Sequence, residues 1–218
     1  MWLGRTLFEA LKSFQPYRDA KRISVYLSMP DGEIQTDAIV RDALTTGKCV
    51  YIPYLHKTHL DAKESPPRVM DMVQLTGIAD YESLKRDKWG IPSIDPKTVD
   101  ERHRILGADG APPDTPGLDL MLMPGVAFDF DGVTGHIRRL GHGKGFYDFF
   151  ISRYSRRYGS KERPGHLSVN FYGLALKEQF LVVPEDDSIP VGPLDEPPHG
   201  VILGNGEIKH TIAKVAER

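Results

Sequence analysis

The segment LDLMLMPG, residues 118–125, constrains this chain more than any other. It is an almost unbroken apolar run of strand length, closed by Pro124 and Gly125. A strand with one wet face alternates apolar and polar side chains, whereas a run of this kind has to be covered on both faces. That is the situation of a buried strand in an α/β sheet with helices on either side. The 218 residues suffice for one such unit, and the chain reads as a single domain over 1–218 with a central, largely parallel sheet flanked by helices.

The neighbouring segments supply the layers. MWLGRTLFEALKSF spaces Leu3, Leu7, Leu11 and Phe14 as a surface helix. RISVYLS alternates Ile23, Val25 and Leu27 with Ser24, Tyr26 and Ser28 and reads as a strand. TDAIVRDALTTGK reads as a helix with Thr36 placed to cap it and Gly47 to stop it. CVYIPYL and MDMVQL read as strands around a polar, proline-containing surface excursion, HKTHLDAKESPPR. Strand, helix, strand in this order predicts a parallel crossover.

Residues 79–117 are dominated by turn-forming segments, and VTGHIRRLGHG reads as a loop. From Lys144 onward Tyr147, Phe150, Ile151, Tyr154 and Tyr158 recur at helical spacing. YGLAL, VILG and EIKHTI are short strands, the last two joined by a turn at Gly204, Asn205 and Gly206. RYSRRYGSKERPG reads as a solvated helix end.

Charge excludes some functions. With 28 Lys and Arg against 30 Asp and Glu, the net −2 offers no basic field for nucleic acid. No apolar run approaches the ~20 residues of a membrane helix, and no signal peptide opens the chain, so a soluble intracellular protein is expected. The lone Cys49, among apolar neighbours, reads as a buried small hydrophobe.

The stretch RLGHGKGFYD, residues 139–148, carries the chemistry. Gly141, Gly143 and Gly145 permit positive φ and close approach of a ligand to the backbone. A helix starting there adds unpaired amides, and Arg138, Arg139 and Lys144, with His142 on protonation, add charge. The spacing fits neither the P-loop nor the dinucleotide fingerprint. On the residues alone the stretch is either an anion site or a structural turn with coincident charges. Asp148 is likewise either a first-turn acid favoured by the helix dipole or a carboxylate for Mg²⁺.

MPGVAFD followed closely by RLGHGKGFYD resembles the signature of the 5-formyltetrahydrofolate cyclo-ligase family. KRISVYLSMPDGEIQT, MDMVQL, KWGIP, LDLMLMPG and LALKEQFLVVP resemble further family segments in family order. The resemblance implies an α/β fold and an ATP- and Mg²⁺-dependent closure of 5-formyltetrahydrofolate, polyglutamylated forms included, to 5,10-methenyltetrahydrofolate through a phosphorylated formyl group. It implies that Arg139, Leu140, Gly141, His142, Gly143, Lys144, Gly145, Phe146 and Tyr147 bind ATP, with Lys144 and Arg139 catalytic. It implies folate contacts at Leu27, Glu33 and Trp89 and along His142–Phe146, and Mg²⁺ ligands at Asp148 and Asp195. Read without it, Leu27 is core, Glu33 a helix cap, Trp89 a cover for apolar surface and Asp195 a turn residue.

Departures are expected too. The resemblance implies a further basic helix ahead of the position where this sequence starts, and that helix is expected to be missing here. Phe146 stands where Tyr is common and His142 where Arg is frequent, and the loops FDFDGVTGHIRRLG and HKTHLDAKESPPR are long. A cytoplasmic monomer is expected, with a mitochondrial location left open. The competing readings are a non-catalytic folate- or nucleotide-binding relative and an unrelated phosphotransferase.

Overall fold

The apolar run becomes the middle strand of the main sheet. The computed structural model describes residues 3–57, 66–107, 116–159, 169–182, 188–192 and 194–212. Helices α1 (Leu3–Ser13) and α2 (Gln15–Asp19) lead into β1 (Arg22–Val25), α3 (Asp37–Thr45), β2 (Cys49–Lys57) and β3 (Arg68–Gln74). Helix α4 (Ile78–Ser83) precedes a small hairpin of β4 (Lys85–Arg86) and β5 (Pro92–Ser93). Then come β6 (Leu120–Met123), a second hairpin of β7 (Ala127–Phe130) and β8 (Ile137–Leu140), and α5 (Phe146–Tyr158). The chain closes with β9 (Asn170–Ala175), β10 (Gly200–Leu203) and β11 (Ile208–His210).

Among the described residues the main sheet has seven strands in the order β11-β10-β9-β6-β1-β2-β3. The pairings from β10 through β2 are parallel, and the edge strands β11 and β3 are antiparallel. Both faces of β6 are buried, as the run demands. Leu120 and Leu122 enter a core with Leu7 and Leu11 of α1 and Val40 of α3, while Met121 and Met123 pack with Phe150, Ile151 and Tyr154 of α5.

The strand in RISVYLS forms as expected, and its polar members Ser24 and Tyr26 are buried as well, because β1 lies between β2 and β6 with helices on both faces of the sheet. Several expectations change. Thr36 stands at the N-cap of α3, but its hydroxyl makes no cap bond and donates to the Tyr26 carbonyl instead. Cys49 is exposed, because it opens β2 at the end of the sheet beyond the cover of the core.

VTGHIRRLGHG is not all loop. Ile137–Leu140 pairs antiparallel with β7, driven by burial of Phe128 and Ile137 and by the Arg138–Asp129 ion pair. Phe128 anchors this hairpin to the main sheet, where a Cβ at Gly173 of β9 would come within 2.5 Å of its ring. Residues 58–65 of the polar excursion, 108–115 of the turn-rich region and 160–165 of the basic run lie outside the described residues. Among the described residues no helix is long and apolar enough to cross a membrane.

Candidate functional site

The sheet topology fixes where a ligand can enter. From β1 the chain crosses through α3 to β2 on one side, and from β6 it crosses through the β7–β8 hairpin and α5 to β9 on the other. Strand order therefore diverges between β1 and β6, which run side by side with Val25 opposite Leu122. The crevice beyond the carboxyl ends of such strands is where open α/β sheets bind ligands. Two loops meet there: residues 26–36 after β1, and the glycine stretch that feeds α5.

The glycine stretch is a helix-capping loop. Gly143 and Gly145 have φ of 70° and 62°, and Gly145 is the N-cap of α5. That left-handed backbone suits glycine alone, and among the described residues, chain neighbours aside, no atom lies within 4 Å of where a Cβ would stand at either position. The loop leads directly into the first turn of α5, whose amides no helix carbonyl can accept. His142, Gly143, Lys144 and Gly145 are exposed, and Lys144 makes no hydrogen bond or ion pair with the described residues. Leu140 ends β8, Phe146 opens α5, and Phe146 and Tyr147 pack toward the core beneath that helix.

The arginines are differently placed. Arg138 does not add charge to the loop, since its Nε and Nη2 donate to both oxygens of buried Asp129 at 2.6 and 2.8 Å. Arg139 is 6% exposed, and its Nη2 lies 3.0 Å from both oxygens of Asp148, itself 16% exposed. Its guanidinium also sits over the Tyr147 ring, 5.5 Å from the centroid. The Tyr147 hydroxyl is buried without a partner among the described residues, and burial raises its pKa.

A cavity of about 170 Å³ brings together Arg139, Asp148, Asp195 and Glu196. Asp195 does take the turn role, as its Oδ2 accepts the Gly192 N–H at 2.6 Å, yet the turn delivers it to the same cavity as Asp148. What sequence reading missed is the tie that holds this segment, the Ile189 N–H donating to Asp129 at 2.9 Å. The only local signal was an acid between two phenylalanines in a strand. A larger cavity of about 440 Å³, beneath the β4–β5 hairpin, includes none of the predicted site residues.

On the β1 side Leu27 is buried in the core. Glu33 is half-buried and does not cap α3; its Oε2 accepts the Met29 N–H at 3.2 Å. Burial raises its pKa, opposed by the Met29 N–H and by the charge of His142 in the glycine loop. Trp89 is 63% exposed at the tip of the β4–β5 hairpin. The adjacent Gly90 lies so close to Pro30 that a Cβ would meet it at 2.8 Å, so the tip leans on the loop that carries Glu33.

A carboxyl with a raised folded pKa favours the folded state below its unfolded pKa, and that contribution is lost as pH rises through the folded value. Glu33→Gln is accordingly expected to raise stability at pH 7, an advantage that fades as pH falls toward the ordinary 4.5. Urea unfolding of both proteins across that range checks this; an advantage independent of pH contradicts it.

The arrangement suits a polyanion. Open loop amides, a helix N-terminus and the exposed Lys144 fit phosphate oxygens. Among the described residues no three His, Cys, Asp or Glu side chains form a ready metal site. A Mg²⁺ ion needs only one or two carboxylates when phosphate and water complete its shell, and Asp148 with Asp195 would meet that need.

Fold and site thus define an α/β protein with an exposed glycine loop capping a helix at the switch point of its sheet. The 5-formyltetrahydrofolate cyclo-ligase family profile matches residues 4–203, and the chain belongs to that family of ligases. It is 34% identical over 189 residues to a probable 5-formyltetrahydrofolate cyclo-ligase of Caenorhabditis elegans, covering 87% of this chain and 75% of that protein. It is 34% identical over 177 residues to the 5-formyltetrahydrofolate cyclo-ligase of Mus musculus, covering 80% and 69%. The NMR structure of Aquifex aeolicus 5,10-methenyltetrahydrofolate synthetase shares the fold, with a TM-score of 0.59 at 19% identity over 99% of this chain and 84% of that one.

Proposed function

We propose that this protein uses ATP and Mg²⁺ to close 5-formyltetrahydrofolate to 5,10-methenyltetrahydrofolate, releasing ADP and phosphate. Family membership supports the substrate class. The observation that carries the phosphate half is the open loop capping α5, with left-handed Gly143 and Gly145 on either side of Lys144, which is exposed and pairs with none of the described residues.

An amide-like formyl oxygen leaves poorly until it is phosphorylated. In the reaction the formyl oxygen takes the γ-phosphoryl group, N10 attacks the formyl carbon, and the C–O bond breaks as phosphate departs. The residues of the chain position and stabilise. Loop amides and α5 hold the phosphates, and Lys144 meets the charge on the transferring group from a flexible, solvent-facing stem. Glu33, half-buried on the loop after β1, suits N–H donors of the folate ring, with Trp89 on the adjoining hairpin as its flat contact. Mg²⁺, when bound, neutralises phosphate charge, and Asp148 and Asp195 are the residues that would hold it.

The test mixes protein, MgATP and 5-formyltetrahydrofolate and follows the methenyl product by its absorbance. Product that forms only with MgATP is expected. Its absence from a folded preparation overturns the reading.

A further inference from the structure

Arg139 Nη2 contacts both oxygens of Asp148, so a metal on that carboxylate would compete with the guanidinium for it. We propose that Arg139 and Asp148 form an exchangeable pair: the guanidinium blocks the metal carboxylate until nucleotide phosphate draws it away, so that the divalent cation follows the nucleotide. The inference rests on the site being a MgATP site.

The geometry of the pair favours exchange. A locked Arg–carboxylate pair uses two nitrogens on two oxygens. Here a single nitrogen, Nη2, contacts both Asp148 oxygens at 3.0 Å. Nη1 reaches only the Pro124 carbonyl at 3.4 Å, and Nε is buried without a partner among the described residues. Arg139 therefore keeps donors in reserve. It also lies directly against the glycine loop, where a Cβ at Gly141 would come within 3.0 Å of Nη1. A phosphate on that loop is the nearest new acceptor.

The other side of Asp148 wants a cation. The cavity beside it is lined by Asp131, Asp195 and Glu196, and Arg138, which also lines it, is committed to Asp129. The Glu196 N–H approaches Asp148 at 3.5 Å, which brings the Glu196 residue against the same carboxylate. Withdrawing Arg139 would leave these carboxylates facing one another, which is the charge that a divalent ion relieves.

The two halves of the pair predict effects of opposite kind. Wild-type protein without nucleotide should bind Mn²⁺ weakly, read from the free-ion signal by electron paramagnetic resonance. Arg139→Met should bind Mn²⁺ at least ~10-fold more tightly, because Asp148 is released. Asp148→Asn should bind ADP in the presence of a chelator more tightly by a similar factor, because the guanidinium is released. A pair that only supports the fold would weaken both kinds of binding together with the melting temperature.

Tight Mn²⁺ binding by the nucleotide-free wild type overturns the exchange, as does either variant failing to gain. If Arg139→Met does not fold, the Asp148→Asn measurement decides alone. Wild type that binds no MgATP sinks the site reading itself; wild type that binds MgATP while the variants fail to gain sinks only the exchange.

Discussion

Replacing Lys144 with alanine is expected to lower turnover about 10²–10³-fold, the usual cost of one donor aimed at developing charge. Affinity for the folate should change little, because the ammonium is needed chiefly as the phosphoryl group moves. Lys144 stands exposed between two left-handed glycines and bonds to none of the described residues, so stability should not change. Steady-state kinetics together with folate titration check this. Parallel loss of binding and rate would assign Lys144 to ground-state binding instead.

Asp129→Ala is expected to cost about 3–5 kcal/mol, the cost of breaking a buried charge pair from one side. Asp129 is 2% exposed and receives both the two-pronged Arg138 contact and the Ile189 N–H. Its loss strips Arg138 of its carboxylate and leaves a buried amide without its acceptor. Against a typical domain stability of about 5–15 kcal/mol, that is a large part of the whole. Urea unfolding should show it, and Asp129→Leu with Arg138→Leu should recover most of the loss, since apolar replacement of a buried pair is tolerated. A cost under ~1 kcal/mol would show that Asp129 does not hold the 188–192 segment over the cavity.

Much of the fold was legible because it rests on local signals. The apolar run at 118–125 demanded cover on both faces, and the Tyr147, Phe150, Ile151 and Tyr154 spacing demanded one of the covering helices. The capping loop was legible for the same reason, since glycine, charge and the onset of helical period coincide within ten residues. Errors arose where tertiary contact overrides pattern. The alternation in RISVYLS marks the strand but not its cover, and Ser24 is buried between two neighbouring strands. The apolar flanks of Cys49 point inward, yet its place at the end of β2 leaves it in solvent.

By itself the sequence determined the layered α/β plan and the position of the loop that can receive phosphate, because periodicity and glycine content act over a few residues. Only the tertiary structure decided which charges that loop keeps. Arg138, Arg139 and Lys144 are alike as letters, but Asp129 and Asp148 arrive from β7 and α5 to claim the first two. A formal charge acts on a ligand only to the extent that no nearer opposite charge already meets it, and that distance is set by packing.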